Sequence, residues 1–413
     1  MAAFALPLSG LATSSELLDV IANNLANLNT NGYKDQTLNF GDVFNQLQGV
    51  SGNGDPIEIG SGVQIDGQTS NFTNGSLSST GIASNMALQG NGFFVVENSA
   101  GQEAFTRDGA FTVNSQGQLC TASGQLVMGY QAINGKVSSS SALAPITVTQ
   151  ASNIPAVPTT NFSMTTNLNA SAKPGDAFST PVTVYDSLGS SHNLTVTYTN
   201  TGANSWSYNV SIPSADVGGT GTSTTVASGT MTFDSSGHLT APTSPITGIN
   251  ITGLADGAAS MSLSWNLNGS GTTPTITQQD ATSATSATTQ DGYGVGTLSG
   301  YTVLPDGTVQ GEFSNNQTLA LGQVAIAGFA NVQGLQQIGG NDYQATFASG
   351  QALIGQAGAG GNGAVVGGSV EESNVSLSTE FAHMIVAQQG YEANAKVLST
   401  MDQVSQATIQ LIQ

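Results

Sequence analysis

Charge is what this chain lacks most. Only 7% of its 413 residues are charged, five of them basic against 25 acidic, where about 25% charged is usual. The resulting net charge of −20 repels phosphate, which argues against nucleic acid and against an anionic bilayer surface as partners. Cysteine is nearly missing as well. Cys120 stands alone, so no intrachain disulfide is expected, and a solitary Cys ordinarily packs as a small apolar residue. There is no uninterrupted apolar run of about 18 residues, so no membrane insertion is expected. The apolar start, Met1 to Leu8, has no basic n-region and flows into a helix pattern. It does not read as a cleaved signal peptide.

The three histidines lie far apart, outside any metal-spaced motif. His192 and His238 follow Gly/Ser turns and read as solvated turn residues, and His383 falls on the last helix as a surface position. With no His beside a candidate Ser and one Cys, a nucleophilic triad has no support. Gly292-Tyr293-Gly294-Val295-Gly296 follows no strand and opens no helix, so it is not a dinucleotide fingerprint. No loop has the acidic spacing of an EF-hand. The chain is therefore not read as an enzyme, and no catalytic, metal or cofactor site is expected.

What the chain does have is glycine, 52 of them, with abundant Ser, Thr and Asn, and one amphipathic helix at each end. In residues 9–29 the apolar positions Leu11, Leu18, Ile21, Leu25 and Leu28 follow the a/d rhythm of a coiled-coil seam. Thr13 and Glu16 form a capping-box pair, and Thr30-Asn31-Gly32 stops the helix. In residues 375–412 the same rhythm runs through Leu377, Phe381, Met384, Tyr391, Ala395, Leu398, Ile409 and Ile412, interrupted by Gln388, Asp402 and Ser405. Asn374 or Ser376 caps its start, and Gly390 inside it costs about 1 kcal/mol relative to Ala. Neither helix buries its stripe alone, so the two are expected to pair as an assembly seam. The plainer reading is a two-helix cap on the protein's own sheet.

Between the helices the sequence reads as β. Residues 33–70 read as a polar connector with a short helical patch at Phe40, Val43, Phe44 and Leu47, followed by a turn at Gly52-Asn53-Gly54-Asp55-Pro56. From about 71, short strands alternate with turns, and Phe93-Phe94-Val95-Val96 is a buried-strand run. Prolines 145, 155 and 158 mark a boundary, after which Val, Thr and aromatics alternate at period two, as in 181–185, 194–198, 206–210 and 261–265. That pattern argues for a sandwich or barrel. After 291 the pattern of 71–145 returns, with a hairpin at Pro305-Asp306-Gly307-Thr308. The fold class expected is α+β, mainly β. A terminal helical domain takes 1–30 and 371–413, with connectors at 31–70 and 349–370. An outer β-domain takes 71–145 and 290–348, and an inserted β-sandwich or barrel takes 146–289.

Four stretches carry a resemblance. The first is Leu8-Ser9-Gly10-Leu11, with 18–27 (including Asn23, Asn24 and Asn27) and Thr30-Asn31-Gly32-Tyr33-Lys34. The second is Gly90-Asn91-Gly92-Phe93-Phe94-Val95-Val96, then 105–111 with Gly109, ending at Gly129-Tyr130. The third is Asp291-Gly292-Tyr293-Gly294 with Leu304-Pro305-Asp306-Gly307. The fourth is Glu371-Glu372-Ser373-Asn374 through Leu377, then 384–388 ending in Gln388, and 391–396 with Asn394. In this order they resemble the flagellar rod–hook axial family. Val184-Tyr185-Asp186-Ser187-Leu188-Gly189, within an insertion of about 140 residues, looks like the inserted domain of the family's hook branch. Departures are the lack of a basic residue near Gln389 and the presence of Gly390.

The resemblance implies a self-assembling subunit of a curved hollow tube, the universal joint between rod and filament in motility. Terminal helices would line the channel, the outer β-domain would form the middle layer, and the inserted domain would face outward. It implies as partners copies of the chain itself, rod proteins at the proximal end, a hook–filament junction protein at the distal end, and a hook cap and the type III export apparatus during assembly. The location implied is the hook–basal body outside the cell, reached without a cleaved signal peptide. A distal rod protein shares the ends and the outer domain, and a secreted β-rich adhesin or binding module shares the composition. Both remain alternatives at this point.

Overall fold

The structure, a computed structural model, describes residues 2–44, 46–50, 56–148, 153–268 and 274–412. Gly52-Asn53-Gly54-Asp55 and the side chain of Ile412 lie outside the described residues. The chain divides into two compact units. Met1–Gln150, Gly300–Gly311 and Thr318–Gln413 form the first, and Ala151–Ser299 with Glu312–Gln317 form the second.

In the first unit, α1 (Ala2–Ala26) packs along α2 (Leu377–Ile412). α1 begins well before the expected capping box. Thr13 does not cap; its hydroxyl donates back to the Ser9 and Gly10 carbonyls at 3.0 and 3.2 Å, a bond open to a Thr inside a helix. The helix ends at Ala26, and Gly32, at φ +69°, closes the turn that follows. Contrary to the expectation of no spanning segment, Phe4–Ala26 is long and apolar enough to cross a membrane, with mean hydropathy 1.2. In this fold its buried face, which includes Thr13, Val20, Ile21 and Asn24, has a protein partner instead.

In place of the expected helical patch at Phe40 to Leu47, the described residues carry two strands. Gln36–Asp42 pairs antiparallel with Val63–Ser70, and Gln46–Val50 pairs with Pro56–Ile59. Leu38 is buried between exposed Thr37 and Asn39, a period-two pattern that a helix does not satisfy.

The main sheet of the first unit runs, in spatial order, Thr318–Val324, Leu126–Ile133, Phe93–Glu97, Glu103–Thr106, Asp342–Gln344 and Gln336–Gly339. Neighbours are antiparallel. The apolar run at 93–96 is continuous because both faces of this strand are covered. Phe94 and Val96 enter one cluster with Met86, Leu88 and Phe111, while Phe93 and Val95 enter another with Phe105, Tyr130 and Tyr343. Residues 349–370 are also strand-bearing: Ala364–Gly367 pairs with Met86–Gln89, and Ser369–Glu371 with Leu77–Ser79. The two flanks of the sequence thus pair strand to strand.

The second unit has a meander of Ala177–Tyr185, Ser191–Gly202, Ser205–Pro213, Ser223–Phe233 and Leu239–Ala241. A second sheet orders Ile246–Ile251, Met261–Asn266, Asn161–Asn169 and Ile276–Gln279, with Ala284–Gln290 also on the 161–169 strand. Most of the Ser/Thr/Ala-rich stretch at 281–290 is therefore strand. One core joins both sheets around Trp206, Trp265, Tyr198 and Phe162.

Asp291 clamps this unit's entry strand. Its carboxylate accepts from the Thr160 and Asn161 backbone N–H groups at 2.8 and 2.9 Å and from the Thr160 hydroxyl at 2.6 Å. Burial raises its pKa, but these bonds outweigh burial and hold it at about 2. An unfolded Asp titrates near about 3.9, so the clamp is complete above that pH and is lost as pH falls toward the folded value. Both tryptophans lie in this core, so their fluorescence reports it. Melting temperature by Trp fluorescence should fall between about pH 4 and pH 2, and fall less in Asp291→Asn. Equal slopes in the two proteins would remove the clamp.

Candidate functional site

Two of the chain's five basic residues are buried together. Lys34 leaves α1's exit turn and reaches Glu371, Nζ to Oε1 at 2.6 Å, with the Thr73 carbonyl accepting at 2.8 Å. Arg107 approaches the other carboxylate oxygen at 3.4 Å and donates to the Gly90 carbonyl at 2.8 Å, its guanidinium 5.3 Å from the centre of the Phe93 ring. The Gly75 N–H also donates to Glu371 at 2.8 Å. Glu371 is fully buried at 0% exposure. Burial pulls the Lys34 ammonium below its ordinary pKa, while Glu371 pulls it back up. The Gly32 N–H donates to the Glu371 carbonyl at 2.7 Å, and a Cβ on Gly32 would lie 2.6 Å from the Arg107 backbone carbon. A segment after the first helix, the bend after the main-sheet strand Glu103–Thr106 and the strand before the last helix meet at one carboxylate.

A second knot lies nearby on the same exit segment. The buried Asn24 amide donates to Asp35 at 2.8 Å, to the Gln36 carbonyl at 2.9 Å and to Glu380 of α2 at 3.4 Å. Its oxygen accepts from the Gln36 N–H and the Tyr33 hydroxyl, each at 3.1 Å. Burial, then the Asp35 and Glu380 charges, push Tyr33 up to about 12. Asn374, expected as a cap for α2, serves the exit segment instead. Its side chain accepts from the Asp35 N–H at 2.7 Å and donates to the Asn71 carbonyl at 2.7 Å.

The helix pair uses a different register from the one expected. On α2, Glu380 and Ala387 are buried, Met384, Asn394 and Leu398 are half-buried, and Leu377, Phe381, Tyr391 and Ile409 are exposed. On α1, Ile21 is buried, whereas Leu11, Leu18 and Leu25 are only half-buried, as is Leu28 in the turn beyond the helix. Small and polar residues make the contact. A Cβ on Gly10 would sit 2.7 Å from the Asn394 amide, and one on Gly390 would sit 3.5 Å from the Ser14 hydroxyl. The close approach is thus at Gly10, whereas a Cβ at 390 would make only ordinary contact and glycine there costs helix propensity. By the helical angle of about 100° per residue, Leu377, Phe381 and Ile385 line one flank of α2, and Val386, Val397 and Val404 line nearly the opposite one. All six are exposed.

Over almost its whole length the chain matches known proteins. It is 35% identical over 426 residues to the flagellar hook protein FlgE of Salmonella typhimurium, covering 99% of both. The chain belongs to the flagellar hook protein FlgE family. The Treponema pallidum hook protein FlgE is 33% identical, with 98% of each chain covered. Family models match piecewise. They are the flagella basal body rod protein at 8–34, the flagellar hook protein FlgE/F/G D1 domain at 87–167, the flagellar basal body protein FlaE D2 domain at 149–293 and the flagellar basal body rod FlgEFG protein C-terminal at 366–411. The crystal structure of the Helicobacter pylori flagellar hook protein FlgE2 shares the fold, at TM-score 0.52 and 16% identity, over 70% of this chain and 98% of that one.

The motif residues of this FlgE-family chain have separate jobs. Asn24 and Gly32 belong to the knots just described. Phe93 and Phe94 fill the two cores. Gly92 abuts Ile326, and Gly109 abuts the Met86 carbonyl. Gly292 abuts Thr159 and Gly294 the Gly189 carbonyl, both in the second unit. Asn23 bonds Tyr33 at 3.3 Å, and Asn27 bonds the Asn23 carbonyl at 2.9 Å. Gln388 is exposed, and Asn394 faces Gly10. Lys34, Arg107 and Glu371 form a site that sequence reasoning does not pick out. The available signal is that both buried cations, together with Glu371, sit inside the resemblance stretches. His192 is a correction: it is 6% exposed and held between two carboxylates, not solvated.

Proposed function

We propose that this chain is the structural, non-enzymatic subunit of a flagellar hook. It self-assembles through its terminal helices into a curved hollow tube that transmits torque from rod to filament. The observation that carries the reading is α2. A helix apolar on several sides is ordinarily buried, yet α1 covers only one side and leaves both flanks exposed. Neighbouring copies of the same chain are the cover proposed for those flanks. The Glu371 and Asn24 knots would hold both helices at a fixed exit from the sheet, so that the seam is presented in one geometry. The revised seam is Ile21 with Met384, Ala387 and Leu398 inside one subunit, and Leu377, Phe381, Ile385, Val386, Val397 and Val404 between subunits.

The family places the chain in the flagellar axial structure. The finer partners follow as part of the proposal: rod proteins below, a junction protein above, and the cap and export apparatus during growth, with export needing no cleaved signal. A surface with few charges suits bending, because polar contacts shift register more cheaply than a fixed ion-pair lattice. Negative-stain electron microscopy of the purified chain, seeded with basal fragments, tests the reading beside a form lacking 1–30 and 375–413. Curved tubes from the full chain alone are expected. Straight tubes would point to a rod component, and no tubes from either would sink the seam.

A further inference from the structure

Within the second unit, separate segments bring one imidazole and three carboxylates together. Asp186 follows the strand Ala177–Tyr185, and His192 lies on Ser191–Gly202. Asp216 lies on the short 3-10 turn Ser214–Val217, and Asp256 lies in the loop between the strands Ile246–Ile251 and Met261–Asn266 of the other sheet. Asp186 is fully buried and His192 nearly so. Asp186 Oδ1 is committed to the Leu188 and Ser190 N–H groups at 2.8 and 2.9 Å. Its Oδ2 faces His192 Nε2 at 3.2 Å. On the other side of the ring, Nδ1 lies 3.0 Å from Asp216 Oδ2. Ligand atoms of Asp186, His192 and Asp256 all lie within 4.8 Å of one another.

The segments are tied before anything binds. The Ala255 N–H donates to the Asp216 carbonyl at 2.8 Å, and the Ala259 N–H to the Ser187 hydroxyl at 3.0 Å. The Ala258 N–H holds Asp256 Oδ1 at 3.0 Å.

Either a second ring proton or a cation completes the contact at Nε2. A neutral imidazole that donates Nδ1–H to Asp216 presents a lone pair at Nε2. That lone pair then faces a buried carboxylate oxygen, acceptor against acceptor, with a third carboxylate alongside. Something positive belongs between them. A second proton supplies one charge against three, whereas a divalent cation supplies two and uses Asp256 as well. We propose that His192 Nε2, Asp186 and Asp256 form a divalent transition-metal site of the zinc class, with Asp216 orienting the ring from behind. A nitrogen donor among carboxylates suits that class better than calcium or magnesium, which take all-oxygen sets. Asp216 on the far ring nitrogen is the usual outer partner of a metal-bound His. A bound ion would join the meander to the opposite sheet's loop and stiffen this unit.

The test is a Trp-fluorescence melt of the full chelator-treated chain at pH 7 with zinc chloride, and with calcium chloride as control. A hundredfold excess of zinc over its dissociation constant is expected to raise the melting temperature by roughly 5 °C or more, with no response to calcium. Asp256→Asn, at an exposed position, should fold normally and lose most of the zinc response, and His192→Gln should lose all of it. An unchanged response in Asp256→Asn overturns the site. So does a wild-type chain whose melting temperature ignores zinc.

Discussion

Glu371→Ala is expected to destabilise the first unit by about 3–5 kcal/mol, the cost of leaving buried charge without its partner. Lys34 and Arg107 both lose their only carboxylate contact, at 2.6 and 3.4 Å, among the described residues. The Gly75 N–H loses its acceptor as well. Guanidinium unfolding followed by far-UV circular dichroism measures the loss. Glu372→Ala is the control, since Glu372 is exposed next door and should change stability by no more than about 0.5 kcal/mol. The Glu371 variant should also assemble poorly, because the same carboxylate ties the segment after α1 to the strand before α2. A variant as stable as the parent would mean that the sheet alone fixes those segments.

The second large effect is on assembly without an effect on the monomer. Phe381→Asp combined with Val404→Asp places a charge on each exposed flank of α2, at side chains 49% and 66% exposed. Helix content and melting temperature should stay near the parent's, because neither residue fills the interface with α1. Tube formation should be abolished, since a charge carried into a dry intersubunit contact has no partner. Sedimentation of polymer and electron microscopy read the outcome. Normal yields of tubes would show that these flanks stay open in the polymer, and the seam would then have to lie elsewhere.

The positions where expectation and structure part company share a cause. Hydrophobic rhythm alone selects Leu377, Phe381, Tyr391 and Ile409 for the contact with α1. The fold puts Glu380, Ala387 and Asn394 there instead. Apolar side chains on α2 outnumber what one partner helix covers, so periodicity does not say which stripe is inner. Polar residues decide it: Glu380 reaches Asn24, and Asn394 fits against Gly10. The strands at 36–70 are hidden for a related reason. Their apolar residues are few and partly exposed, with Phe40 and Phe44 both facing solvent, so period two is weak. His192 reads as solvated because a turn neighbourhood suggests solvent, and nothing local announces that Asp216, 24 residues later, closes over it.

By itself the sequence determined the parts: two terminal helices, a mainly β interior, a strand pattern that returns after an insertion, and four ordered stretches that mark the family. These are local properties, set by side-chain period and turn chemistry. Only the tertiary structure decided which parts meet. It brought Lys34, Arg107 and Glu371 to one buried point across 337 positions of chain. It chose the inner face of α2, and it closed a carboxylate cage around His192. Each of these is a long-range pairing of polar groups. Burying such groups is costly unless every partner is in place, so their positions follow from the whole fold rather than from any one segment.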